Sequence, residues 1–285
     1  MSVHDLNQSF VEKFVEDGAK DGHSAQNLMQ TCDVVITCLP TPEASGLVVK
    51  EMLPFVAVGK IWLEMSTTDE SEIRRIGALV KAVGAEPVDC PVSGGCHRAD
   101  TGNISIFAGC SRAVFERALP VLTTLGRRVL HTGELGTASK LKVVTNYLAT
   151  AHLVALGEAL TACKVMDLDM NVSYEAIKAS SGNSFVHETE SQVILNGSYN
   201  INFTMDLVLK DTGLFYNLAK KLNTPLNISP LIVKIFKDGK KKYGSRAWSS
   251  IIVKRMEDLN NVDFRADGFP DELIDNEQEE KGYEI

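Results

Sequence analysis

The alternation of apolar and polar positions divides the 285-residue chain into two differently patterned parts. Up to about residue 132, short unbroken apolar runs recur, each followed by a stretch with helical period. Asp33-Val-Val-Ile-Thr-Cys-Leu-Pro40, Lys60-Ile-Trp-Leu-Glu-Met-Ser-Thr67 and Ala85-Glu-Pro-Val-Asp89 are three such runs. Apolar runs without alternation predict parallel strands covered on both faces. Val3–Asn7 reads as a strand end, Ile104–Ala108 as a strand antiparallel to the others, and Arg128–His131 as a last short strand. Helices are predicted from Ser9 toward Asp17, over 43–53, over Asp69–Val83 with Thr67 or Thr68 as N-cap, and over Arg112–Leu125 after Ser111. Beyond residue 132 no strand is expected, and helical stretches recur near 171–180, 185–195, 204–222, 228–242 and 246–260. Asp271–Ile285 is strongly acidic without core periodicity and is expected to be a solvated, disordered tail.

The two parts meet at Gly133-Glu-Leu-Gly136-Thr-Ala-Ser-Lys140-Leu-Lys142-Val-Val-Thr-Asn146, a glycine-punctuated turn running into a long helix. In the rest of that helix Glu158 is the only acidic residue, and a helix apolar on all sides is expected to be buried. Its Thr, Asn, His and Gly content argues against a membrane span. Lys142 and Asn146 share one face, with Lys140 nearly opposite. A lysine at the mouth of such a helix is partly desolvated, which disfavours its charged form and suits it to proton transfer. A solvated lysine in the first turn is the alternative.

Composition narrows the function classes. The formal net charge of −8 argues against nucleic acid as a partner. Neither a signal peptide nor a convincing membrane segment is visible, so no membrane association is expected. Six cysteines in apolar runs fit reduced thiols in a reducing compartment. Cys90, Cys96 and His97 lack a second ligand pair at zinc spacing, so no metal site is expected.

Several motifs occur in order. Asp5 follows the first strand end, where an acidic residue of a dinucleotide-binding fold meets the adenosine ribose. Capping of the next turn is its alternative role. Leu39-Pro40 and Thr67 end two parallel strands. Asp89-Cys-Pro-Val-Ser93-Gly94-Gly95 is a glycine loop able to form an anion nest. Phe203-Thr-Met-Asp-Leu-Val-Leu-Lys210-Asp211 lies on a later helix. Together with Gly133, Gly136, Lys142 and Asn146, these resemble the β-hydroxyacid dehydrogenases, which include 3-hydroxyisobutyrate, tartronate-semialdehyde and 6-phosphogluconate dehydrogenases. The resemblance runs from about residue 3 to about residue 255. Ala138 departs from it, standing where a third glycine is usual, as does the Gly244–Ser249 segment, where many relatives have an aspartate.

The resemblance implies an α/β plus all-α fold. It has an incomplete Rossmann-like NAD(P)-binding domain over 1–132 and an all-α domain over 133–262 that includes the interdomain helix. An acidic tail follows over 263–285. It implies hydride transfer between a β-hydroxy acid and NAD, with NADP the alternative cofactor. Lys142 and Asn146 would be catalytic, and Ser93, Gly94 and Gly95 would bind a small carboxylate substrate. Asp5, Leu39, Pro40, Thr67 and Lys210 would bind cofactor. A homodimer or tetramer is implied, in the cytoplasm or, with a further N-terminal segment, the mitochondrion. A Gly-x-Gly-x-x-Gly turn is expected about twenty residues before the ribose acid, yet only four residues precede Asp5. By the resemblance, the first β-α unit of such a domain is expected to be absent from this chain. A truncated or non-catalytic relative serving in assembly is the alternative reading. An exposed sheet edge along Val34–Leu39 is expected in consequence.

Overall fold

The structure is a computed structural model describing residues 1–285. The chain forms two compact units, the first of residues 1–93, 104–142 and 280–285, the second of residues 94–103 and 143–279.

In the first unit, β1 (Ser2–Val3) leads into α1 (Gln8–Glu16), β2 (Lys20–Asp21), α2 (Ala25–Thr31), β3 (Val34–Thr37) and α3 (Pro42–Met52). Then come β4 (Ile61–Glu64), α4 (Glu70–Ala82), β5 (Glu86–Asp89) and β6 (Val92–Ser93). After α5 (Cys96–Asp100), which belongs to the second unit, β7 (Ser105–Gly109), α6 (Arg112–Leu125) and β8 (Arg128–Gly133) complete the run. Strands β3, β4 and β5 pair in parallel, with Thr37, Glu64 and Asp89 in register across all three. Strand β7 is antiparallel to β5 and β6 and parallel to β8. One face of this sheet buries Ile61, Leu63, Val88 and Ile106 with Phe115 and Leu122 of α6. The other buries Val35 and Trp62 with Ile73, Ile76 and Val80 of α4.

The main sheet ends at β3, while β1 and β2 form a separate two-stranded parallel sheet. In a parallel ladder alternate residues bond to opposite neighbours. Asp33 and Thr37 carbonyls accept from Ile61 and Met65 on the β4 side, so the backbone groups of Val34 and Ile36 face the free edge. Ile36 is 40% exposed there. The expected edge is present.

Helix α7 (Thr137–Val165) continues from the first unit into the second. By length and composition it could cross a membrane, but its buried face packs Leu153, Leu156 and Leu160 into the core of the second unit. It is not buried all round, contrary to the pattern-based expectation. Leu141, Val144, Leu148 and Val165 are 38–61% exposed along one stripe, because one side of the helix has no covering layer within the chain. Around the buried side lie α8 (Met170–Lys178), α9 (Phe185–Asn196), α10 (Met205–Lys221), α11 (Ile228–Tyr243) and α12 (Lys254–Asn260).

The acidic tail is ordered, which corrects the expectation of disorder. Asp275 accepts from Thr101 and Asn103, and Glu277 pairs with Arg98, within the second unit. In the first unit β9 (Tyr283–Glu284) adds a parallel strand to β8, Glu280 pairs with Arg127 at 2.6 Å, and Glu284 takes both arms of Arg112. Net acidity suggested solvation, but these carboxylates have specific basic and amide partners far away in sequence. Gly282 permits the docking, since a Cβ there would lie 2.2 Å from the Gly126 carbonyl oxygen and 2.3 Å from that of Thr123. Gly282→Ala is therefore expected to cost roughly 1–3 kcal/mol and to release the last strand. Limited proteolysis should show faster cleavage of the C-terminal segment with the remaining core intact.

Candidate active site

Because β3, β4 and β5 are parallel, their carboxyl ends lie along one edge of the sheet, where open α/β sheets bind ligands. A buried carboxylate, Glu64, ties these ends together. Thr37 Oγ1 donates to its Oε2 and the Ser66 N–H to its Oε1, each at 2.9 Å. Trp62 Nε1 donates to Thr37 Oγ1 at 2.9 Å, and the Leu39 N–H donates to Ser66 Oγ at 2.7 Å. Burial pushes the Glu64 carboxyl up, against the pull of the Ser66 hydrogen bonds. The network fixes the loops that carry Leu39, Pro40 and Thr67. Thr67 is half-buried, and the N-cap of α4 is Asp69, which accepts from Ser71 and Glu72 N–H groups. Neither Thr67 nor Thr68 therefore caps that helix: Asp69, one residue on, has a carboxylate that reaches two N–H groups at once. The Thr68 hydroxyl is buried without a partner. Asp5 is exposed just beyond β1, and its Oδ1 accepts the Asn7 N–H at 2.7 Å, so it does make the turn contact weighed for it.

At the end of β5, Asp89 reaches the first turn of α7. Its Oδ2 accepts the Ser139 N–H at 2.8 Å and its Oδ1 the Ser139 hydroxyl at 2.7 Å. A carboxylate supplied by another element thus satisfies a helix N-terminal N–H and complements the positive helix end. Burial pushes the Asp89 carboxyl up to about 6, with the Ser139 hydrogen bonds opposing and Glu64 adding a like charge. Gly136, at φ 92, makes the left-handed entry to this helix, which a side chain would strain. Ala138 is fully buried within the first turn and outside the left-handed region, so a glycine is not required there. Three residues past Ser139 lies Lys142, only 7% exposed. A lysine this buried is not the solvated first-turn lysine that was the alternative.

Ser93 ends β6, held by pairing with Ser105. Gly94 and Gly95 follow with φ of 137 and 87, conformations that disfavour any side chain. A Cβ on Gly95 would also stand 3.0 Å from the His97 ring. In the second unit, Asn146 Nδ2 donates to Asp211 Oδ2 at 2.6 Å, and Lys210 Nζ lies 3.0 Å from Asp211 Oδ1. The structure thus joins Asn146 and Lys210 through Asp211, a residue 2% exposed. Sequence reasoning quoted Asp211 in a motif without giving it a role. A buried acid beside a lysine and one helix away from an amide leaves no local sequence signal. Asp89 was likewise only part of a loop motif. Arg98, three residues after Gly95, is engaged by Glu277 and stacked over Phe185.

Three parallel strands with polar loops at their carboxyl ends are thus followed by a buried Lys142 and by Asn146 on one long helix. Residues 1–133 match the NAD binding domain of 6-phosphogluconate dehydrogenase, and residues 136–256 match the NAD-binding domain of NADP-dependent 3-hydroxyisobutyrate dehydrogenase. The chain is 31% identical over 265 residues to 2-(hydroxymethyl)glutarate dehydrogenase of Eubacterium barkeri, covering 90% of this chain and 87% of that one. It is 29% identical over 247 residues to the NAD-dependent L-serine dehydrogenase of Pseudomonas aeruginosa, covering 83% of each. The fold superposes on 3-hydroxyisobutyrate dehydrogenase from Salmonella typhimurium with a TM-score of 0.82 at 24% identity, over 89% of this chain and 90% of that one. The chain belongs to the 3-hydroxyisobutyrate dehydrogenase-like family of NAD(P)-dependent β-hydroxyacid dehydrogenases. The residues present fit part of such a cofactor: fixed strand-end loops, an unpartnered buried Thr68 hydroxyl beside Thr67, and an exposed Asp5 after β1. A Gly-x-Gly-x-x-Gly turn for the pyrophosphate is not among the 285 residues.

The Asp89 geometry has a measurable consequence for stability. Its folded-state value of about 6 exceeds the ordinary 3.8, so the folded state holds the extra proton between those two values. Stability from this group is full below about pH 4 and is lost as pH rises through about 6, on the order of 3 kcal/mol in all. Asp89→Asn keeps an acceptor for the Ser139 N–H and cannot ionise. Denaturant unfolding of this variant between pH 4 and 7 should therefore lack that part of the wild-type pH dependence.

Proposed function

We propose that this chain catalyses reversible oxidation of a β-hydroxy acid at its hydroxyl carbon, with Lys142 as general base and, in reverse, general acid. The observation that carries this reading is the burial of Lys142 one turn from Asn146, whose amide is held by Asp211. NAD(P), when bound, provides the hydride acceptor. Lys142 takes the hydroxyl proton at Nζ. Asn146 keeps one orientation because Asp211 accepts one of its two Nδ2–H groups, which leaves the second to donate to the substrate hydroxyl oxygen or carboxylate. Ser93 offers a hydroxyl donor and Gly94 and Gly95 offer N–H groups for the carboxylate. A fixed carboxylate aligns the reacting carbon for hydride transfer. Lys210 contributes positive charge for cofactor and substrate, moderated by its ion pair with Asp211. Leu39, Pro40 and Thr67 form the cofactor side, and Asp5 meets the adenosine ribose.

The names of the two relatives support the substrate class. Serine and 2-(hydroxymethyl)glutarate both carry a hydroxyl on the carbon β to a carboxylate. The exposed apolar stripe of α7 supports assembly as a homodimer or tetramer, since a stripe this long is costly in water. A second reading, a non-catalytic relative acting in assembly, draws support from the separate β1–β2 sheet and the open β3 edge. Turnover separates the two.

Lys142→Ala is expected to lower kcat by roughly 10²–10⁴-fold while leaving the dissociation constant for NADH nearly unchanged. Steady-state kinetics with cofactor titration checks both. A variant with near wild-type kcat would remove Lys142 from the mechanism. Cofactor choice gives a separate test. A carboxylate at the ribose repels a 2′-phosphate, so kcat/KM should be higher with NAD than with NADP, and Asp5→Ser should narrow the difference. A clear NADP preference in the unaltered chain would sink the assignment of Asp5.

A further inference from the structure

The chain is acidic, yet one helix of the second unit is strongly basic. Helix α11 carries Lys234, Lys237, Lys240, Lys241 and Lys242 against a single acid, Asp238. Lys234 pairs with Asp238 and Lys242 with Asp258, outside the cavity described next. Lys237, Lys240 and Lys241 have no carboxylate within ion-pair distance. These three line a cavity of about 740 Å³ between α10 and α11, together with Leu209, Gly213, Tyr216, Asn217 and Val233. Lys220 adds a fourth positive charge nearby, its ammonium 5.5 Å from the centre of the Tyr216 ring.

Two features of this cavity go beyond ordinary surface chemistry. The spacing of Lys237 to Lys240 and Lys241 puts like charges on neighbouring helix turns, which disfavours the helix; Asp238, already paired with Lys234, attracts Lys241 but leaves Lys237 and Lys240 unanswered. The negative end of the helix dipole accounts for lysines in the last turn, but not for Lys237, a full turn earlier. The second feature is Gly213. A glycine inside a helix is less favourable than alanine, and a Cβ at this position would meet no protein atom within 4 Å. Neither backbone conformation nor packing within the chain requires a glycine here. What it leaves is room for another molecule to approach α10 closely.

We infer that the α10–α11 cavity is a binding site for a small organic or inorganic polyanion, held by Lys237, Lys240 and Lys241. Tyr216 and Asn217 supply a hydroxyl and an amide that fix the anion's orientation, and Leu209 and Val233 accept an apolar portion. The volume suits a metabolite-sized ligand. The site shares no lysine with the proposed hydride-transfer machinery, so its occupancy is independent of the reading above.

Citrate and pyrophosphate are suitable probes, one carrying carboxylates and the other phosphates. Calorimetric titration of each into the full chain at low ionic strength should show saturable one-site binding. Lys237→Gln combined with Lys241→Gln should weaken it at least about tenfold. Gly213→Leu should weaken it by blocking close approach to α10, with the unfolding temperature and helical circular dichroism unchanged. Lys234→Gln, which removes a lysine outside the cavity, should leave it intact. Tighter binding of citrate would indicate a carboxylate ligand, and of pyrophosphate a phosphate ligand. The proposal is overturned if neither probe binds below about 10 mM, or if Gly213→Leu binds as well as the unaltered chain.

Discussion

The contact on which the catalytic reading depends is the double hydrogen bond from Ser139 to Asp89. It fastens the first turn of α7 to the end of a central strand, and Lys142 lies one turn further along the same helix. Without it, a buried helix N-terminus would have orphan N–H groups and Lys142 would have no fixed starting point. The same carboxylate stands beside Glu64 across the β4–β5 pair, and Glu64 in turn secures the loops after β3 and β4. Two buried acids therefore organise the strand ends. Each costs desolvation, and each is answered by N–H and hydroxyl donors rather than by a cation.

Much of this architecture was legible in the chain. The unbroken apolar runs at Val34–Thr37, Ile61–Glu64 and Glu86–Asp89 are strands. The helix over Arg112–Leu125 has the expected limits. The free edge of β3 was expected as well, whereas β2 at Lys20–Asp21 and its separate pairing with β1 were not, because two residues carry no periodic signal. Local signals sufficed for the longer elements because apolar period and turn residues are properties of short segments.

What was not legible depends on partners distant in sequence. The acidic tail has no apolar period, but Glu280 and Glu284 find Arg127 and Arg112 more than 150 positions away, and a glycine lets the strand dock. Asp211 holds Asn146 from another helix, 65 residues on. The apolar face of α7 predicted burial, and the chain leaves a stripe of it uncovered because no intramolecular element lies over Val144 and Leu148. In each case the pattern indicated that a group needed a partner without indicating which one.

The most direct measurement of the central claim compares hydroxy acids that differ only in hydroxyl position. Reduction of NAD is followed with a 3-hydroxy acid and with the 2-hydroxy acid of the same carbon skeleton, on folded, NADH-binding protein. The account predicts turnover of the 3-hydroxy acid and little or none of its isomer, since the carboxylate anchor and Lys142 set one carboxylate-to-hydroxyl spacing. Preference for the 2-hydroxy acid, or no turnover of any hydroxy acid by protein that binds NADH, would contradict it.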